Sequence, residues 1–87
     1  MLLVVDFSDL DLEFYRIDIR LDGNADFTIG KLIDKICYGI EKFGKTAIPN
    51  KSMLDLLNPN RKRLDATCKV RELSLNDWDT IYIVRRT

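Results

Sequence analysis

The sequence contains no histidine. That removes the side chain that most often serves as a general base near neutral pH and most often ligates a metal. Its two cysteines, Cys37 and Cys68, give neither a disulfide framework nor zinc-site spacing, and they read as free thiols. No apolar run approaches the roughly 18 residues that a membrane span requires. Met1-Leu2-Leu3-Val4-Val5 lacks a basic leader and soon meets Asp6, so it does not read as a secretory signal. There is no Gly-rich phosphate loop, no internal repeat and no linker. These absences point away from catalysis, cofactors, metals and membrane insertion, and leave a cytoplasmic location as the expectation.

What remains is the composition of a soluble globular protein, 46% apolar and 32% charged. Eighty-seven residues imply one domain, 1–87. A chain of this size buries only about 60–65% of its unfolded surface, so its core must be compact. The 14 basic and 14 acidic residues cancel, but unevenly along the chain. Residues 1–27 carry −5, residues 28–50 carry +2 and residues 51–87 carry +3. Such polarity can steer a partner or support self-association. It is equally met if the halves neutralise each other when folded side by side.

The stretch Asp26 to Gly44 organises the chain. Ile29, Leu32, Ile33, Ile36, Ile40 and Phe43 recur at helical spacing on one side, with Lys31, Asp34, Lys35, Glu41 and Lys42 on the other. Thr28 is placed to cap its N-terminus. Phe27 and Leu32 are placed as a hydrophobic staple. Gly44 is expected to end the helix in a left-handed conformation, and Gly39 to weaken its last turn by about 1 kcal/mol.

The other apolar stretches read as strands. Leu2 to Phe7 is apolar on both faces, Leu3, Val5 and Phe7 opposite Leu2 and Val4, which suits a central strand. Phe14 to Leu21 alternates, Tyr15, Ile17, Ile19 and Leu21 against Arg16, Asp18 and Arg20, and predicts a hairpin partner for the first strand. Asp22-Gly23-Asn24 predicts a turn. Ser52 to Leu57 is a short strand closed by Asn58-Pro59-Asn60. Leu64 centres a very short strand, Val70, Leu73 and Leu75 mark a compact turn, and Thr80 to Val84 forms the last strand. Right-handed crossover rules place that strand parallel to the first, at the centre of a mixed sheet with the helix on one face. The resulting order β-β-α-β-β-β is the α+β arrangement called the β-grasp, or ubiquitin-like, fold.

The C-terminal stretch RLDATCKVRELSLNDWDTIYIV resembles a ubiquitin-type ending, with Leu64, Val70, Leu75 and Ile81 as successive core anchors. The opening VVDFSDLDLEFYRIDIRL followed by TIGKLIDKI is similar to the small bacterial ubiquitin-like proteins of the YukD/EsaB family. The resemblance spans nearly the whole chain. It implies a cytosolic accessory or regulatory component of a Gram-positive type VII (Esx) secretion system that is not conjugated to other proteins. Val84-Arg85-Arg86-Thr87, without a terminal Gly-Gly, agrees with the last point. Where the family usually has Asp-Gly-Asp, this chain has Asp77-Trp78-Asp79. Trp does not easily take a positive φ, so a turn of different geometry is expected.

The charged clusters carry little chemistry. Asp9, Asp11 and Glu13, and likewise Asp77 and Asp79, could hold a cation but lack EF-hand spacing, and read as solvated turn carboxylates. Arg61-Lys62-Arg63 with Lys69 and Arg71 lacks the width and interleaved aromatics of a nucleic-acid surface. The more informative feature is the sheet face away from the helix. Leu2, Val4, Tyr82 and Val84 are expected there, and an apolar patch on a small domain marks an interaction surface. The competing reading is that the stems of Arg16, Arg20 and Arg85 cover it. Trp78 is a second interface candidate, with packing against the domain slightly favoured over exposure. Leu10 and Leu12 read as caps on one end of the core.

The function expected is therefore a non-enzymatic protein-interaction module that docks a secretion-system component or a second copy of itself. The rival readings are a sulfur carrier or protein modifier of the same fold, and a ubiquitin-like domain of a larger membrane component of the secretion apparatus.

Overall fold

The structure, a computed structural model, describes residues 1–21 and 26–86. The turn expected at Asp22-Gly23-Asn24 lies outside the described residues. The elements run β1 (Leu2–Asp6), β2 (Arg16–Arg20), α1 (Ile29–Gly44), β3 (Leu54–Leu57) and β4 (Thr80–Arg85), with short 3₁₀ turns at Ser8–Leu10, Lys51–Met53 and Val70–Glu72. The sheet order is β2-β1-β4-β3. β1 pairs antiparallel with β2 and parallel with β4, and β3 pairs antiparallel with β4. The first and last strands are thus the central pair, and the architecture is the expected mixed sheet with one helix.

The strand expected around Leu64 is reduced to an isolated bridge between Leu57 and Arg63, with Leu64 N–H donating to Leu56 C=O at 2.9 Å. The turn Asn58–Arg61 folds the chain back along β3 at once, leaving room for a bridge but not a ladder.

Alternation in the strands sets the core. Leu3 and Val5 on β1, Leu56 on β3, and Ile81 and Ile83 on β4 are fully buried beneath Ile29, Leu32, Ile36 and Ile40 of α1. Phe7 is buried beyond the end of β1 and meets Phe14 edge-on at 5.2 Å between ring centroids, a favoured aromatic geometry. Leu10 is buried and Leu12 packs against the core, as caps of that end should. Val70 is buried, and Leu73 and Leu75 pack beside it.

The start of the helix follows the sequence closely, and its end does not. Thr28 Oγ1 accepts from Lys31 N–H at 3.2 Å, a side-chain cap on an otherwise unpaired donor. At the other end Gly44 remains helical, and Lys45 takes the left-handed conformation at φ 50°. Gly44 is needed for another reason. A Cβ there would overlap the Phe14 ring. Phe43, expected on the buried stripe, is 78% exposed, at the mouth of an open groove between α1 and β2. Its ring still meets Phe14 at 5.7 Å. Tyr15, expected to face inward, is also exposed, since it precedes the first residue of β2.

Two ion pairs fasten the loops around α1. Glu41 accepts from Lys51 Nζ at 2.6 Å and from Ile48 N–H at 2.9 Å. Those two hydrogen bonds hold its carboxyl below the ordinary value, the lysine contributing most. Asp26 pairs with Lys69 at 2.9 Å, and Arg71 lies 3.5 Å away. That carboxyl is likewise lowered, chiefly by the Lys69 hydrogen bond.

Candidate protein-docking surface

The even-numbered residues of β1 and β4, with the alternate residues of the flanking strands, form the sheet face that α1 leaves uncovered. Registers Val4↔Asp18, Val4↔Thr80, Asp6↔Tyr82, Asp55↔Val84 and Leu57↔Tyr82 define its rows. The structure places Leu2, Val4, Tyr82 and Val84 on this one face of the two central strands but spreads them along it. Val4 lies beside Thr80 and Tyr82 beside Asp6, so Leu2 and Val84 stand at opposite ends. Their accessibility differs from a bare apolar patch. Val4 is only 4% exposed, while Leu2, Tyr82 and Val84 are half-buried.

Of the three arginines anticipated as cover, Arg16 and Arg20 lie level with Asp6 and Leu2 in the rows of this face, and Arg85 does not cover it. Arg85 turns away: its Nη2 donates to Leu10 C=O at 2.7 Å, and its backbone N–H donates to Asp9 Oδ2 at 2.8 Å. Arg61 instead lies over the Tyr82 ring, its guanidinium carbon 4.3 Å from the centroid, in a cation–π contact. Arg61 holds φ 62° in the tight turn after Asn58-Pro59-Asn60. Asn58 Oδ1 accepts from the N–H groups of Asn60 and Lys62, which fixes that turn.

Beside Val84 lies the one buried charged side chain among the described residues, Asp55. Its Oδ1 accepts from Arg86 Nη2 at 2.9 Å, and its Oδ2 sits 3.2 Å from Arg63 Nε. Two guanidinium groups thus replace the water that the carboxylate gives up, which is what a buried charge requires. The same pairing raises the Arg86 pKa, with the Asp55 hydrogen bond as the larger cause. The outer face is therefore a mosaic of half-buried apolar groups framed by fixed charges.

Trp78 stands at the end of the central pair. Its backbone N–H donates to Leu2 C=O at 2.7 Å, and the next residue's carbonyl accepts from Val4 N–H at 2.9 Å. The turn is held from both sides: Asp77 Oδ1 accepts from Leu2 N–H, and Asp79 Oδ2 accepts from Asn76 N–H. These carboxylates, like Asp9, act as loop fasteners. Contrary to the expectation of a different geometry, Trp78 takes φ 69°. A bulky residue there is an outlier, costing on the order of 1 kcal/mol. Contrary also to the packed reading, its side chain is 64% exposed.

Sequence reasoning missed the Asp55–Arg63–Arg86 cluster and the contact between Arg61 and Tyr82. An aspartate in the apolar run Leu54-Asp55-Leu56-Leu57 was the available signal. It also missed a groove of about 630 Å³ between β2 and α1, lined by Ile17, Ile19, Gly39 and Phe43 with Arg16 and Asp18 at its rim. Both cysteines are free. Cys37 is buried, and burial pushes its thiol up to about 11.

No protein-family model matches the chain. No curated protein matches it. Solved structures do. A ubiquitin from Caldiarchaeum subterraneum is 18% identical, with a TM-score of 0.69, the match covering 100% of this chain and 94% of that one. A chain from a structure titled for molecular mimicry of SUMO that promotes DNA repair is 20% identical, TM-score 0.69, covering 97% and 89%. A chain from a pParkin-pUb-UbcH7 complex is 9% identical, TM-score 0.68, covering 98% of this chain and 22% of that one. At these identities the likeness is one of fold. The chain has the ubiquitin-like β-grasp fold.

Proposed function

We propose that the protein is a non-enzymatic interaction module that docks a protein partner, without covalent attachment, through the outer face of its sheet. Trp78 is the anchor of that surface at the Leu2 end, with the buried Val4 next along the face and Tyr82 and Val84 extending it toward the far end. The observation that carries this reading is an exposed indole kept on a strained backbone at φ 69° by the turn's own hydrogen bonds. Strain of this kind gathers at functional positions, and exposed tryptophans commonly dominate binding energy. Asp77 and Asp79 beside the indole, and Arg61 with the Asp55 cluster at the far end of the face, supply a polar rim.

The further proposal, that the partner belongs to a type VII (Esx) secretion system and that the protein acts in the cytosol as its accessory or regulator, is supported by the resemblance of the opening and C-terminal stretches to the YukD/EsaB family. The test is affinity purification from a Gram-positive host that carries such a system, using the wild-type protein and Trp78→Gly side by side. The expected result is a secretion-system component retained by the wild type and lost with the variant. Absence of any such component overturns the secretion assignment. Equal retention by both proteins overturns the docking surface.

A further inference from the structure

The two rims of the sheet differ. The β3 rim is bridged by the chain's own Arg63 and Leu64. Among the described residues, nothing pairs with the outer side of β2. The ladder shows which groups are left free there. Phe7 N–H donates to Tyr15 C=O, and Met1 and Leu21 exchange bonds in both directions. The odd-numbered residues of β2 therefore bond toward β1, and the N–H and C=O groups of Arg16, Asp18 and Arg20 point outward. An open row of such groups is a template for another strand. Directly beside it runs the apolar groove of about 630 Å³, with Ile17 and Ile19 on one wall and Phe43 and Gly39 on the other. Gly39 faces Ile17 across the groove, where a Cβ would make an ordinary contact with Ile17 Cδ1 at 3.8 Å.

We infer that β2 pairs with β2 of a second copy of this chain, antiparallel about a two-fold axis at Ile17, to form a continuous sheet across a symmetric dimer. The charge pattern argues for this occupant and against a register centred on Asp18. The position of Ile17 beside Gly39, in the groove with Phe43, favours an axis there over one at Ile19. Arg16-Ile17-Asp18-Ile19-Arg20 is complementary to itself when Arg16 of one copy faces Asp18 of the other. The outward backbone groups of those same residues then exchange hydrogen bonds across the axis. A register centred on Asp18 sets Asp against Asp and Arg against Arg, and like charges directly opposite are destabilising. With the axis at Ile17, the two Ile17 side chains meet on the helix side, Ile19 faces Tyr15 of the other copy, and the groove containing the 78%-exposed Phe43 lies at the junction. A C₂ contact needs this self-complementarity. The inference does not rest on the outer-face reading, which uses a different surface.

Sedimentation velocity on the full chain tests it, with concentration varied from about 1 μM to about 1 mM, a range that spans affinities of roughly 8 to 4 kcal/mol. The expected result is a monomer–dimer equilibrium. Asp18→Arg and Arg16→Asp each place like charges across the axis, and each weakens dimerisation at least tenfold while leaving the circular dichroism spectrum unchanged. Mixing the two variants restores a heterodimer, because Arg16 and Arg at position 18 of one copy then face two aspartates of the other. Asp18→Pro removes an outward N–H without touching the β1 ladder, and also abolishes the dimer. A wild-type monomer throughout the range overturns the inference. So does a dimer indifferent to Asp18→Arg, or a monomer whose β2 edge captures an extended peptide of a different protein.

Discussion

The two faces of the sheet are built from strands of the same length and are stabilised differently. On the helix side the three strands β1, β4 and β3 bury an apolar core, with Leu3, Val5, Leu56, Ile81 and Ile83 at no solvent exposure, and only Ile17 and Ile19 of β2 are partly open. On the other side, Val4 is buried but its neighbours are half-covered. Long charged side chains share that face, Arg61 over Tyr82, the Asp55–Arg63–Arg86 cluster at the β3 side and Arg16 and Arg20 on β2. A face stabilised by packing must be completed inside the molecule. A face covered by long, partly exposed side chains can be uncovered by rotating them, so it can exchange its cover for a partner at modest cost.

The largest way to break this contrast lies inside. Ile36→Ala, at the middle of the helix stripe, is expected to destabilise by about 2–4 kcal/mol. Val84→Ala on the outer face should cost less than about 1 kcal/mol, since it is already half-exposed. Urea unfolding of the two variants measures the difference directly, and equal losses would erase the distinction between the faces. Next in size is Asp55→Ala, expected to cost about 1–3 kcal/mol through the loss of charge-assisted hydrogen bonds. A double-mutant cycle with Arg63→Ala should show coupling between them.

A chemical contrast separates the two thiols. At neutral pH, iodoacetamide should modify the half-buried Cys68 before Cys37, whose thiol is buried and held to about 11. The Cys37 contribution to stability is full below its unfolded pKa near 9 and declines as pH rises toward 11. Peptide mapping after timed alkylation checks the order.

The smallest effect concerns Glu41. Its lowered folded pKa means that its contribution is present above the unfolded value of 4.5 and is lost as pH falls through the folded one. Glu41→Gln should therefore flatten the fall in stability below pH 4.5 without changing the core.

The helix stripe, the alternation in β1 and β2, and the parallel central pair were legible because each follows from a local period and a chain-crossing rule. Asp55 was not. Its partners Arg63 and Arg86 come from elsewhere in the chain, Arg86 being 31 residues away, and no local pattern reports such a pairing. Phe43 fits the apolar stripe by spacing, but spacing does not say how closely the helix approaches the strand opposite, and here an open groove separates Phe43 from β2. Gly44 looked like a terminator because glycine often is one, whereas here it makes room for Phe14. Trp78 was misjudged from intrinsic preference alone. The hydrogen bonds from Leu2 N–H to Asp77 and from Trp78 N–H to Leu2 dictate its backbone, and they outweigh the preference.

Trp78→Gly gives the most direct test of the docking surface. Glycine takes φ 69° without strain, so the variant should be more stable by about 1 kcal/mol in urea unfolding. Partner binding by the same sample should fall at least tenfold. Stability and binding moving in opposite directions is the predicted result; a variant that is less stable, or that binds its partner as well as the wild type, contradicts it.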